Sequence, residues 1–186
     1  MDQFNSAANE LEAGCEYKII KHILNTAGIE RFVSHQNNMV RLGIGLYGIS
    51  ASGQSGLRNV STLKTTILQI QDAPTGSSIG YGRKEFVTRD SKIAIIPIGY
   101  ADGLNRQLSC GVGNVVIQGK RCPIIGNICM DTCMIDVTDI ETKEGDSVII
   151  FGEEISVIEI AEKLNTIPYE IFTSISPRVK RVYFRE

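Results

Sequence analysis

Residues 78–103 read SIGYGRKEFVTRDSKIAIIPIGYADG. The centre of the stretch, Ile93-Ala94-Ile95-Ile96-Pro97-Ile98, is apolar and β-branched, which predicts a buried strand. A tyrosine set among glycines flanks it on each side: Tyr81 in Ile79-Gly80-Tyr81-Gly82, and Tyr100 in Ile98-Gly99-Tyr100-Ala101-Asp102-Gly103. Glycine beside a side chain lets the backbone turn sharply or approach a ligand closely. The pattern therefore puts each tyrosine at a strand end rather than in the middle of a face. Taken alone, two structural tyrosines in β-turns satisfy the same pattern.

Outward from this strand the chain keeps a β character. Residues 60–70, VSTLKTTILQI, are β-branched and partly alternating, and further strands are expected at 85–88, 114–117, 122–125, 133–137 and 147–151. Turns built on Gly or Asp separate most of them, as at Gln118-Gly119-Lys120 and Glu144-Gly145-Asp146. Short strands at this spacing indicate a sandwich or barrel. A helical insertion follows. Ser156 and Glu159 form a capping box ahead of Val157, Ile160, Ala161 and Leu164, and Pro168 starts a second short helix. Residues 178–184 alternate basic and apolar side chains, like a half-exposed strand with a solvated charged face.

Upstream, the character differs. Phe4, Ala7, Ala8 and Leu11 share a helical face that Gly14 can end. Residues 24–28 read as a strand end or turn, 29–35 as a short helix or turn, and 39–44 as a strand. The Ser/Gly-rich loop at 50–56 is the best domain boundary. Just before it, Gly43-Ile44-Gly45-Leu46-Tyr47-Gly48 matches G-x-G-x-x-G. No helical periodicity follows the match, and no acidic residue comes before Asp72, so a dinucleotide fingerprint is disfavoured. The glycines still suit a phosphate, because they expose backbone N–H groups.

Composition describes an ordinary globular protein: 186 residues, 42% hydrophobic and 22% charged. A net charge of −2 gives no electrostatic case for nucleic acid or an anionic membrane. The cysteines, Cys15, Cys110, Cys122, Cys129 and Cys133, lack zinc spacing and are expected as reduced thiols. His22 and His35 are too scattered for a metal site, and none is expected.

Four sequence features now stand in order: Val40-Arg41-Leu42-Gly43-Ile44, Gly80-Tyr81-Gly82, Gly99-Tyr100-Ala101-Asp102-Gly103 and Gly126-Asn127-Ile128-Cys129-Met130-Asp131. With the late Tyr169-Glu170, this set resembles alanine racemase, a pyridoxal 5′-phosphate enzyme, over nearly the whole chain from about Asn5 to Arg185. The resemblance implies a mainly β fold. Residues 57–186 would be the C-terminal β-barrel or sandwich domain with its helical insertion, and 1–50 a remnant of the last βα units of a TIM barrel. It also implies roles for single residues. Tyr81 is the tyrosine base. Arg41 lies against the pyridine nitrogen. Thr26, Gly43, Ile44 and Tyr169 hold the cofactor phosphate. Met130 contacts substrate through its N–H, and Tyr100 lines the substrate channel.

The family's other base is a lysine that carries the cofactor as a Schiff base. It is expected upstream, outside this chain, so the chain alone is expected to be incomplete and inactive. The implied reaction interconverts L-alanine and D-alanine for peptidoglycan in the bacterial cytoplasm. The implied assembly is a head-to-tail homodimer, with no nucleic acid or membrane partner. The alternative is a non-catalytic β module kept for dimerisation; a place at the tail of a ligase–racemase fusion is compatible with the racemase reading. Unclosed βα units expose apolar strand edges, which predicts association or partial disorder before residue 50.

Overall fold

The structure is a computed structural model that describes residues 1–53 and 56–184. Gln54 and Ser55 of the 50–56 loop, and the Arg185 end of the resemblance, lie outside the described residues. The chain divides into two compact units, Met1–Val60 and Ser61–Glu186.

In the first unit, α1 (Asp2–Ala13) starts with an acidic residue in its first turn, which suits the positive end of the helix dipole. Gly14 N–H donates to Leu11 O at 3.1 Å and closes its end. Helix α2 spans Thr26–Arg31, where a strand end or turn was expected up to residue 28. The reason is a cap: the Asn25 side chain accepts from Gly28 N–H at 3.1 Å and starts the helix early. The strand expected at 39–44 shrinks to a single parallel bridge between His22 and Met39. Beyond it the chain enters a 3₁₀ turn at Ile44–Tyr47, ended by Gly48 at φ 79°. A ladder fails here because the Gly43 and Gly45 N–H groups donate to the Thr26 hydroxyl, at 3.0 and 3.3 Å, instead of to a neighbouring strand.

The second unit is mainly β. Its strands are β1 (Leu63–Thr66), β2 (Gln69–Ala73), β3 (Ser78–Ile79), β4 (Glu85–Phe86), β5 (Ser91–Ile96), β6 (Asn114–Ile117), β7 (Lys120–Ile125), β8 (Cys133–Asp136) and β9 (Ser147–Phe151). Seven of them form one antiparallel sheet in the order β1-β9-β6-β7-β8-β5-β2, and β3 and β4 make a separate hairpin. β1 and β2 are the two ends of that order yet follow each other in sequence, so the sheet curls round toward itself. The expected single strand at 60–70 is therefore two. The break falls at Ile67 and Leu68, whose N–H groups donate to Asp146 O (3.0 Å) and Ile95 O (2.8 Å) on opposite flanks.

The core is β-branched. Val115, Val116, Ile117, Ile124, Ile135 and Val148 are each at most 1% exposed. Helix α3 (Val157–Lys163) adds Val157, Ile160 and Ala161, and its Ser156 cap accepts from Glu159 N–H at 3.1 Å. Helix α4 (Pro168–Ser174) follows with proline in its first turn. The strand expected at 178–184 is absent. Arginines there bond across to other groups instead; Arg181 Nη2 donates to Ile175 O at 3.0 Å.

Candidate functional site

The expected site residues fall into two sets, one in each unit. In the first unit, Thr26 is 4% exposed, and its Oγ1 takes the N–H groups of Gly43 and Gly45. Two backbone donors converging on one oxygen make the kind of concavity that suits an anion. Gly45 has little room for a side chain: a Cβ would lie 2.9 Å from Leu42 Cδ1 and 3.1 Å from Thr26 Cγ2. Ile44 is buried between the two glycines. Arg41 is tied to the segment before α2, its N–H donating to Leu24 O (2.8 Å) and its Nη2 to Ile23 O (2.9 Å). Thr26, Arg41, Gly43 and Ile44 thus belong to one local arrangement, and its donors are a buried hydroxyl, backbone N–H groups and a guanidinium.

In the second unit, Tyr81 sits at the tip of the β3–β4 hairpin between Gly80 (φ 70°) and Gly82 (φ 84°). Both glycines adopt the left-handed conformation that side chains resist, and the ring is left 58% exposed. The hairpin is seated on a small apolar cluster of Ala73, Ile79, Val87, Ile93, Ile125 and Met134. Two further hydrogen bonds join it to the loop after β7: Gly126 N–H donates to Glu85 Oε2 (2.6 Å), and Asn127 Nδ2 donates to Tyr81 O (3.3 Å). That same loop carries Met130.

Tyr100 begins a 3₁₀ turn, Tyr100–Asp102, just past β5. Tyr100 N–H donates to Cys129 O and Ala101 N–H to Met130 O, each at 3.0 Å. The approach is so close that a Cβ on Gly99 would lie 2.3 Å from both carbonyl oxygens. The loops of Tyr81 and Tyr100 are therefore each hydrogen-bonded to a third, the one that carries Met130. Tyr169 is on a different element, the first turn of α4, and its carbonyl accepts from Thr173 Oγ1 at 2.8 Å.

The phenol of Tyr81 is held above its ordinary pKa. The largest cause is the negative charge of the Cys129 thiolate at the high pH where a phenol titrates. Desolvation and a hydrogen bond with Cys129 push the same way, while the Arg106 cation works against them. Cys129 and Asn127 sit inside a motif the sequence singled out, and Arg106 lies just beyond another, but nothing in their spacing names their neighbour. Cys133, by contrast, is buried, and its thiol is pushed up to about 12 by desolvation, which makes it inert. All five cysteines are free. Among the described residues no group of His, Cys, Asp and Glu could hold a metal ion.

Two family models match the chain: alanine racemase, C-terminal domain, over residues 60–183, and alanine racemase, N-terminal domain, over residues 1–51. Alanine racemase 2 of Caldanaerobacter subterraneus subsp. tengcongensis is 47% identical over 173 residues, covering 88% of this chain and 44% of that protein. The alanine racemase of Bartonella henselae, solved with covalently bound pyridoxal phosphate, is similar at a TM-score of 0.86 and 34% identity, over 98% of this chain and 51% of that one. The Bacillus anthracis alanine racemase with bound L-Ala-P gives a TM-score of 0.90 at 34% identity, over 99% of this chain and 50% of that one. The chain spans about half the length of the curated relatives it matches.

Proposed function

The chain belongs to the alanine racemase family, and from that premise we propose that it forms part of a pyridoxal-phosphate-dependent racemase interconverting L-alanine and D-alanine. In this reading residues 57–186 are the β domain and residues 1–50 the end of the cofactor-binding barrel. The observation that carries the proposal is Tyr81, exposed on a two-glycine turn and cross-bonded through Asn127 to the loop of Met130.

Racemisation takes the Cα proton from one face and returns a proton to the other, so it needs two groups on opposite faces. Pyridoxal phosphate supplies the electron sink for that exchange. Tyr81 Oη serves one face. A phenol rests neutral near pH 7 and the upward shift only reinforces this, so Tyr81 is suited to deliver a proton to Cα, with the reverse direction returning it. Arg106 is the nearby cation that favours the phenolate when the proton has left. The second base is a lysine in the part of the family's length that these residues do not cover.

The donor set of the first unit fits the cofactor. Thr26 Oγ1 and the N–H groups of Ile44 and of Gly43, the last of which donates here to that hydroxyl, would hold the phosphate; by family resemblance alone, the Tyr169 hydroxyl would reach it in the assembled enzyme. Arg41 would face the ring nitrogen; a guanidinium does not give up its proton near neutral pH, so that nitrogen stays unprotonated. Met130 N–H would bind the substrate carboxylate, and Tyr100 would narrow the channel toward an alanine-sized side chain. Serine adds one hydroxyl, which an apolar pocket rejects weakly. The whole enzyme would be a head-to-tail homodimer with Tyr81 acting in the other subunit's site, supplying D-alanine for peptidoglycan in the cytoplasm. No helix among the described residues is long and apolar enough to cross a membrane.

Replacing Tyr81 by Phe in the intact enzyme tests this directly. Loss of a positioned acid–base group is expected to lower kcat by about 10²–10⁴-fold. A reduction of only twofold would remove Tyr81 from the proton transfer.

A further inference from the structure

Arg178 lies in the basic segment whose charges the sequence suggested were merely solvated. Its Nε donates to Asp102 Oδ1 at 2.7 Å, and its Nη2 donates to Asp131 Oδ1 at 2.5 Å. Asp102 ends the Tyr100 turn, and its other oxygen accepts Gly99 N–H at 2.9 Å, at the start of that turn. Asp131 directly follows Met130. Ser176 N–H also donates to Asp102 O at 3.0 Å, so the segment carrying Arg178 is fixed against the turn it bridges.

Exposed ion pairs contribute little to stability, and Asp131, at 60% side-chain exposure, is such a partner. Asp102 is different: its side chain is only 12% exposed, and Arg178 and Gly99 are its donors. The guanidinium is also suited to the task, since two nitrogens of one rigid plane reach two carboxylates on separate loops, where an ammonium is a single point charge on a flexible stem. These loops already touch through the Tyr100 and Ala101 N–H groups, whose acceptors are the carbonyls of Cys129 and Met130. Those contacts hold the backbones of the two loops against each other.

We infer that Arg178 is a positioning residue, which clamps the Tyr100 turn to the Met130 loop through Asp102 and Asp131 and so holds the substrate-facing groups of both in register. The inference rests on the proposed roles of Met130 and Tyr100. It predicts an effect on binding more than on turnover, because a substrate contact made equally in ground and transition states appears in KM.

The test uses the intact holoenzyme with Arg178→Lys, which keeps the charge but loses the rigid two-nitrogen fork. Arg121→Lys is the control; it alters the pair between Arg121, near the start of β7, and Glu159 on α3, at the other end of that strand from the Met130 loop. Arg178→Lys is expected to raise KM for alanine about tenfold with kcat within about twofold, and to speed amide exchange at residues 99–101 and 129–131. Arg121→Lys is expected to change neither. Unchanged exchange in Arg178→Lys would overturn the clamp itself. Faster exchange with an unchanged KM would overturn the inference at its premise, showing that the Met130 and Tyr100 loops do not bind substrate.

Discussion

Asp102 is the residue at which burial and pairing compete most openly. Burial is the largest single influence and acts to raise its pKa. The Arg178 hydrogen bond, the Gly99 N–H and the Arg178 charge together outweigh it, so the carboxyl ends below its ordinary value. A group whose folded pKa is depressed adds stability above its unfolded pKa, near 4, and loses it as pH falls through the folded value. The melting temperature of the parent is therefore expected to exceed that of Asp102→Asn by a constant margin above pH 5. The margin should shrink as pH drops below about 4. A margin independent of pH down to 2 would show that Asp102 stabilises by shape alone. At this scale the sequence is legible where chemistry is local. Glycines at 80 and 82 announce an exposed Tyr81, while the Asn25 cap, although just as local, is missed by the expectation of a strand end or turn at 24–28. It is opaque where the partner is distant, as for Arg178 with Asp102 and Asp131, because no pattern within residues 178–184 encodes which carboxylate waits across the fold.

Elements follow the same division. Strands β6 and β9 fall where β-branched runs between glycine turns put them, and α3 begins where the capping box does. Ser156 supplies the side-chain acceptor for Glu159 N–H, so Ser156→Ala is expected to destabilise the second unit by about 1 kcal/mol. Chemical denaturation would show this as a lower midpoint with an unchanged slope. Ser156→Asp should keep most of the loss from appearing, since aspartate caps as well as serine. Elements misread from sequence were overridden from outside. The break between β1 and β2 is imposed by Asp146 and Ile95, which claim the N–H groups of neighbouring residues from opposite sides. The strand expected at 39–44 gives way at its end, where the Gly43 N–H, and the Gly45 N–H just beyond it, go to the Thr26 hydroxyl. In both cases the local propensity was real, and a longer-range hydrogen bond won.

At the scale of the whole molecule the two units differ in how well they cover themselves. Ser61–Glu186 encloses a β-branched core within a curled sheet. Met1–Val60 leaves many large apolar side chains in solvent: Leu11 and Ile20 are each 66% exposed, Tyr17 71% and Val33 69%. Helix α1 buries only Ala8. The parallel pairing at His22 and Met39 is a single bridge rather than a ladder. Large apolar side chains left in solvent favour association. The isolated 186-residue chain is expected to self-associate at micromolar concentration, its sedimentation coefficient rising with loading. Replacing Leu11, Tyr17 and Val33 by lysine should lower that association while the circular dichroism of the second unit stays the same, because these side chains pack little against their surroundings. Sedimentation as a 20.4 kDa monomer at every concentration, with protected amides before residue 50, would show instead that the first unit covers itself. The exposed apolar groups would then have to be read as a tolerated surface rather than as the face on which the rest of a barrel is built.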